Sequence, residues 1–234
     1  MTGPEPSNPA RRIMLVGDGP LAERLALGLR HEGTTVAGVS SAGCRFTDEA
    51  DVAGAIASAR ASIGGVDLVV HAWVAPSLVA PHAFVDLDEA VWAAGCERTL
   101  EVAWWVARAV AAPLTAASGA LVFVVPTIGL SGGAEFSMLA AAAEGVRALA
   151  KSCGRQWGAS GVTVNTIAAA PHHWVGDEAG AALTRSVSLS TPALGGPGDA
   201  AADLAPLVEL LATPGAHFVT AGTVVADGGT WMGL

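Results

Sequence analysis

Six histidines, no tyrosine and one lysine, Lys151, set the chemistry open to this 234-residue chain. Two of the histidines are adjacent, His172 and His173. An imidazole near its ordinary pKa can take a proton from a substrate at neutral pH, with a hydroxyl such as Thr127 or Ser131 orienting the substrate oxygen. The competing reading is that the pair is ordinary polar loop surface. His71 is read first as a hydrogen-bonded core histidine, while His31, His82 and His217 show no partner pattern. Cys44, Cys96 and Cys153 form no Cys-x-x-Cys pair and the histidines no His-x-x-x-His pair, so neither a metal site nor a disulfide frame is expected. With no phenol anywhere in the chain, every mechanism that needs a tyrosine is excluded.

A second candidate is the turn Gly17-Asp18-Gly19-Pro20-Leu21-Ala22, which fits G-x-G-x-x-A. After a strand and at a helix start, that pattern lets backbone amides hold a pyrophosphate. Gly17, Gly19 and Ala22 are therefore the candidate cofactor-binding residues, for NAD(P)H. Against this, Pro20 lacks an amide donor and Asp18 puts a carboxylate beside the phosphates. Ser40-Ser41 after the next strand supplies neither an acid for a ribose diol nor an arginine for a 2′-phosphate. The glycines are read in preference as a tight strand-to-helix turn, and no cofactor is the favoured expectation.

These residues need a frame. Ile13 to Val16, Thr34 to Val39, Val66 to Ala72, Leu121 to Val125, Val162 to Ile167 and Thr223 to Ala226 are short apolar runs that predict buried strands. Between them, helical periodicity covers Leu21 to Glu32, Asp48 to Ile63, Leu87 to Ala112, Phe136 to Trp157 and Ala200 to Leu211. Strands alternating with helices at this spacing predict an α/β fold, a single Rossmann-like doubly wound parallel sheet with helices on both faces. Residues 1–11 read as a flexible, Pro-rich tail and 12–234 as one domain. Thr191 to Gly198 reads as a mobile surface loop near the last strand.

In that frame the chain resembles the short-chain dehydrogenase/reductases, in their β-ketoacyl-reductase-like subgroup, from Arg12 to Gly233. Val219-Thr220-Ala221-Gly222-Thr223-Val224-Val225-Ala226-Asp227-Gly228-Gly229 is similar to the family's closing strand and Asp-Gly-Gly turn. Gly161 to Ile167 and Gly119 to Val122 match its preceding strands. The resemblance also says what is missing. The family's catalytic Ser, Tyr and Lys fall on Pro126, Leu139 and Ala143, and its helix Asn on Thr99. Its Asn-Ala-Gly segment is His71-Ala72-Trp73, and its Pro-Gly is Ala169-Ala170.

Reduction of a ketone develops an oxyanion that an acid must protonate, and Leu139, Ala143 and Pro126 can neither donate nor ionise. The ordinary reductase mechanism is thereby excluded. Side chains left with usable chemistry at the strand ends are His71, Thr99, Thr127, Ser131, His172, His173 and Trp174. The family pairs subunits through the helices that align here with 87–112 and 136–157. Ala140 to Ala143, Gly145 and Ala148 would admit a close partner helix, and Trp104 and Trp105 are either contact area or core.

Composition narrows the partners. Net charge −9 and pI ≈ 5.0 leave no basic stripe for nucleic acid. No run of apolar residues reaches membrane length and no leader pattern is seen, so a cytoplasmic protein is expected, and the preference for Arg over Lys suggests a bacterial source. The leading expectation is a catalytically silent subunit, a pseudoenzyme that forms a homo- or hetero-oligomer, supporting or pairing with an active member of the family. The alternatives are a ketoreductase using NAD(P)H with substrate-assisted protonation, and a cofactor-independent cyclase, dehydratase or isomerase on a hydrophobic small molecule. The last would rest on His172, His173 or Thr127, with Trp73 and Trp174 lining a pocket.

Overall fold

A computed structural model describes residues 10–175, 191–196 and 198–232. The expected tail before Ala10 and the two residues after Met232 lie outside the described residues. Six parallel strands form one sheet in the order β2-β1-β3-β4-β5-β6. They are β1 (Arg11–Val16), β2 (Thr34–Val39), β3 (Leu68–His71), β4 (Ala120–Pro126), β5 (Thr163–Ala169) and β6 (Thr223–Ala226). β1 thus begins at Arg11, one residue before the expected start of the domain.

The helices are α1 (Gly19–Leu29), α2 (Glu49–Ser62), α3 (Glu89–Trp92), α4 (Arg98–Ala117), α5 (Ile128–Ser131), α6 (Ser137–Trp157) and α7 (Ala205–Leu211). Strand alternation sends Met14 and Val16 into a core with α2, α4 and α6, and Ile13 and Leu15 into a second core with α1 and α7. Burial on both faces is why the central strands read as unbroken apolar runs. None of these helices is long and apolar enough to cross a membrane.

Local signals set most boundaries. Asp48 accepts from the Asp51 amide at 2.9 Å and starts α2, as a side-chain cap should. Gly28 lets α1 lie against the segment that leads into α7: a Cβ there would sit 2.4 Å from the Ala201 carbonyl oxygen and 2.6 Å from Ala205 Cβ.

The predicted helix 87–112 is corrected in two ways. It divides into α3, a π-helical turn at Ala93–Glu97, and α4. It also runs past Pro113 to Ala117, because fully buried Leu114 anchors the last turn. The predicted helix 200–211 likewise opens with a π turn, Ala200–Leu204, before α7. β4 and β5 are each longer than their apolar runs because they pair with one another through Pro126 and Ala169.

Candidate functional site

A doubly wound sheet opens a crevice beyond the carboxyl ends of its strands, where the chain order reverses. Here the reversal lies between β1 and β3. Three neighbouring regions make up this edge.

The first lies beyond β3 and β4. His71, Trp73, Thr99, Pro126, Leu139 and Ala143 converge there around a cavity of about 10 Å³, no more than one water's worth of space. Thr99, Pro126, Leu139 and Ala143, the positions that the resemblance sets against the family's catalytic residues, thus lie around one closed space. Thr99 Oγ1 donates to the Gly95 carbonyl at 2.9 Å and accepts from the Ala75 amide at 3.0 Å, so its hydroxyl braces the π turn and the chain after β3. His71 is 1% exposed and packs against Phe123 with ring centroids 5.3 Å apart. Burial pushes its pKa down to about 4, only partly offset by its own backbone. It is a core histidine hydrogen-bonded to its own backbone, while its Nε2 has no partner among the described residues.

The second region is the reversal point. Gly17 is packed by the protein itself, since a Cβ would meet Ala22 Cβ at 3.0 Å and the Ala72 backbone at 3.4 Å. Gly19 carries the left-handed φ of +71° that turns the chain into α1. Its neighbour Asp18 reaches the end of β2, accepting from the Ser41 amide and the Ser41 hydroxyl, each at 2.8 Å. Ala22 is buried in the α1 core. Beside the turn, Phe46 and Trp73 pack with centroids 5.0 Å apart, both buried.

The third region follows β5. His172 and His173 are buried with ring centroids 3.9 Å apart. They line a cavity of about 440 Å³ with Pro20, Arg24, Gly198 and Asp199. Arg24 pairs with Asp199, whose carboxylate also accepts from the Ala201 and Ala202 amides at 2.7 and 3.0 Å. His173 is driven down to about 4, first by burial and then by His172, against weaker pulls from Asp199 and Asp203. The pair is therefore not exposed loop surface. The hydroxyls proposed to assist it are engaged elsewhere or isolated. Ser131 Oγ donates to the Gly132 carbonyl at 2.9 Å, and Thr127 Oγ1 is buried without a partner among the described residues. Trp73 and Trp174 do not share a pocket wall: they belong to the cores on opposite faces of the sheet.

Sequence reading missed Phe46, Arg24 and the Asp18–Ser41 link. Phe46 is an aromatic in a stretch otherwise rich in small residues, which was a usable signal. Asp18 and Ser41 are 23 positions apart, and no local pattern joins them. A wider groove of about 620 Å³ lies at the strands' amino ends, beside Arg12 and His217, away from all three regions. Among the described residues no cluster of His, Cys, Asp or Glu is placed to hold a metal ion.

A six-stranded doubly wound sheet with a glycine turn after β1, and with β4, α4 and α6 converging at one pocket, defines a Rossmann-like α/β fold. The profile of the family described as enoyl-(acyl carrier protein) reductase matches residues 23–230. The cis-4-hydroxycyclohexanecarboxylate dehydrogenase of Sinomonas cyclohexanicum is 32% identical over 187 residues, 78% of this chain and 73% of the relative. The 3-oxoacyl-(acyl-carrier-protein) reductase FabG of Vibrio cholerae is 28% identical over 173 residues, 72% of this chain and 68% of that protein. The chain therefore belongs to the short-chain dehydrogenase/reductase family of oxidoreductases. Its fold matches a crystal structure of the Brucella melitensis 3-ketoacyl-(acyl-carrier-protein) reductase complexed with NADH, with TM-score 0.81 at 15% identity, over 95% of this chain and 98% of that one.

Proposed function

We propose that this chain is a catalytically silent member of its family, which supports or pairs with an active oxidoreductase subunit and turns over no nicotinamide cofactor itself. The observation that carries the reading is the closed pocket at Thr99, Pro126, Leu139 and Ala143, with its cavity of about 10 Å³. Nothing in it can protonate an oxyanion. His71 is neutral at physiological pH, and Thr99 has its proton committed to Gly95. A substrate carbonyl has no room beside them.

What remains useful is the outside of the scaffold. Trp104 is 47% exposed on α4, with Arg108 stacked on its ring at 5.1 Å and tied to Glu49 at 2.8 Å. Ala141 and Ala148 are exposed along α6. Of the other small residues, Ala142 and Ala143 face inward, and Gly145 receives the Leu100 side chain. Trp105 is core. The partner face supported by this arrangement is thus centred on Trp104.

The test is co-expression with an active short-chain reductase of the same source, followed by measurement of mass and of ketone-dependent NAD(P)H oxidation. The expected result is a stoichiometric complex that Trp104→Glu dissociates, and no oxidation by this chain alone. Oxidation by the chain alone would overturn silence and return substrate-assisted reduction. A second reading, a cofactor-independent cyclase, dehydratase or isomerase, draws support from the stacked histidines beside the 440 Å³ cavity. It requires that His173→Gln abolish an activity that Trp104→Glu leaves intact.

A further inference from the structure

The reversal point between β1 and β3 is where a doubly wound sheet receives a dinucleotide, so the residues there can be tested for fit. They do not fit. Trp73 stands two residues beyond the end of β3, and its ring packs against Phe46 from the segment after β2. Both rings are part of the main core, 6% and 2% exposed. The two rings thus stand beyond the carboxyl ends of β2 and β3, on either side of the reversal point.

Phe46 is there under constraint. Its φ of +55° is a conformation a bulky side chain adopts only when its surroundings impose it. The segment that carries it is tied at both ends. Asp18 holds Ser41 through two hydrogen bonds at 2.8 Å. At the far end, Asp51 accepts from the Arg45 amide at 2.6 Å, and the Arg98 guanidinium donates to the Thr47 carbonyl at 2.7 Å. The turn that would hold a pyrophosphate is altered as well. Pro20 removes one amide at the start of α1, and the Asp18 carboxylate stands on the turn where phosphate charge would lie.

We infer that this chain has converted its dinucleotide crevice into a side-chain plug: the Phe46–Trp73 ring pair fills it, and the Asp18–Ser41 clasp holds the plug in place. The plug excludes the adenosine half of a dinucleotide by volume and the pyrophosphate by charge. The inference rests on the silent-subunit reading for its meaning, yet it stands on a separate set of residues.

The experiment is calorimetric titration of the full chain with NADH and NADPH, alongside thermal unfolding with and without indole, a probe of the ring volume. The wild type is expected to give no saturable heat up to about millimolar dinucleotide, and no shift with indole. Trp73→Gly is expected to be less stable and to regain melting temperature with indole. Combined with Asp18→Asn, it is expected to gain about tenfold or more in NADH affinity. If Trp73→Gly does not fold, Phe46→Leu carries the same test with benzene as the probe. Saturable micromolar binding of either dinucleotide to the wild type would overturn the plug, as would equal indole stabilisation of wild type and variant. Binding without ketone-dependent turnover would remove the plug and leave the silent-subunit reading standing, whereas turnover would remove both.

Discussion

The corner where β5 meets β6 and the pocket beside β4 sit on the same sheet. In the corner the buried side chains of Asn165 and Asp227 are both hydrogen-bonded. Asn165 donates from Nδ2 to the Val219 carbonyl at 2.8 Å and accepts from the Gly222 amide at 3.1 Å. Asp227 accepts from the amides of Gly229, Thr230 and Trp231 at 2.9 to 3.1 Å. In the pocket Pro126, Leu139 and Ala143 present apolar surface and the volume is filled. The difference teaches which parts of a motif fold a chain and which parts do its chemistry. A buried carboxylate that satisfies three amides is retained because losing it leaves three donors unpaired. A phenol or an ammonium in an apolar pocket serves only a reaction, and it is desolvated at a cost when no reaction repays the burial.

The comparison breaks if the corner tolerates change. Asp227→Ala is expected to lower unfolding free energy by about 3 kcal/mol, read from urea denaturation, with Asp227→Asn intermediate. An effect as small as that of an exposed substitution would show the motif to be decorative. The other half is sharpened by restoring the lost side chains together, Pro126→Ser with Leu139→Tyr and Ala143→Lys. This variant is expected to remain inactive with NADPH or NADH and to lose ~2 kcal/mol from overpacking a closed pocket. Measurable ketone reduction by it would show that the pocket lacks only its acid.

Protonation probes the same edge more gently. His71 and His173 have folded pKa values of about 4 against the ordinary 6.5. Between those values the unfolded chain binds more protons than the folded one, so stability rises with pH through this window and is fully present above about 6.5. A drop of about 2 kcal/mol per histidine is expected on going from pH 7 to pH 4.5, and His71→Gln should roughly halve the slope. A slope that His71→Gln leaves unchanged would mean that the ring is hydrated in the folded state. Smallest of all is Arg24→Ala. Its ion pair with Asp199 is about half exposed, so the change in stability should stay within about 0.5 kcal/mol.

Much of this architecture was legible without coordinates. The apolar runs, their spacing and caps such as Asp48 are local features, and local features fix where strands and helices begin. The resemblance to the family, not the spacing, singled out Thr99, Pro126, Leu139 and Ala143, and the fold places them around one small cavity. Sequence alone also excluded tyrosine chemistry, since composition needs no geometry. Other properties belonged to the tertiary structure. The link of Asp18 to Ser41, the strained inward turn of Phe46, the pairing of Arg24 with Asp199 and the isolation of Thr127 each depend on segments far apart in the chain. Whether Trp104 or Trp105 faces out, and which small residues of α6 face inward, depended on how α4 and α6 pack. Periodicity states that a face is buried, but only close packing decides which neighbour fills it and whether a crevice is left open.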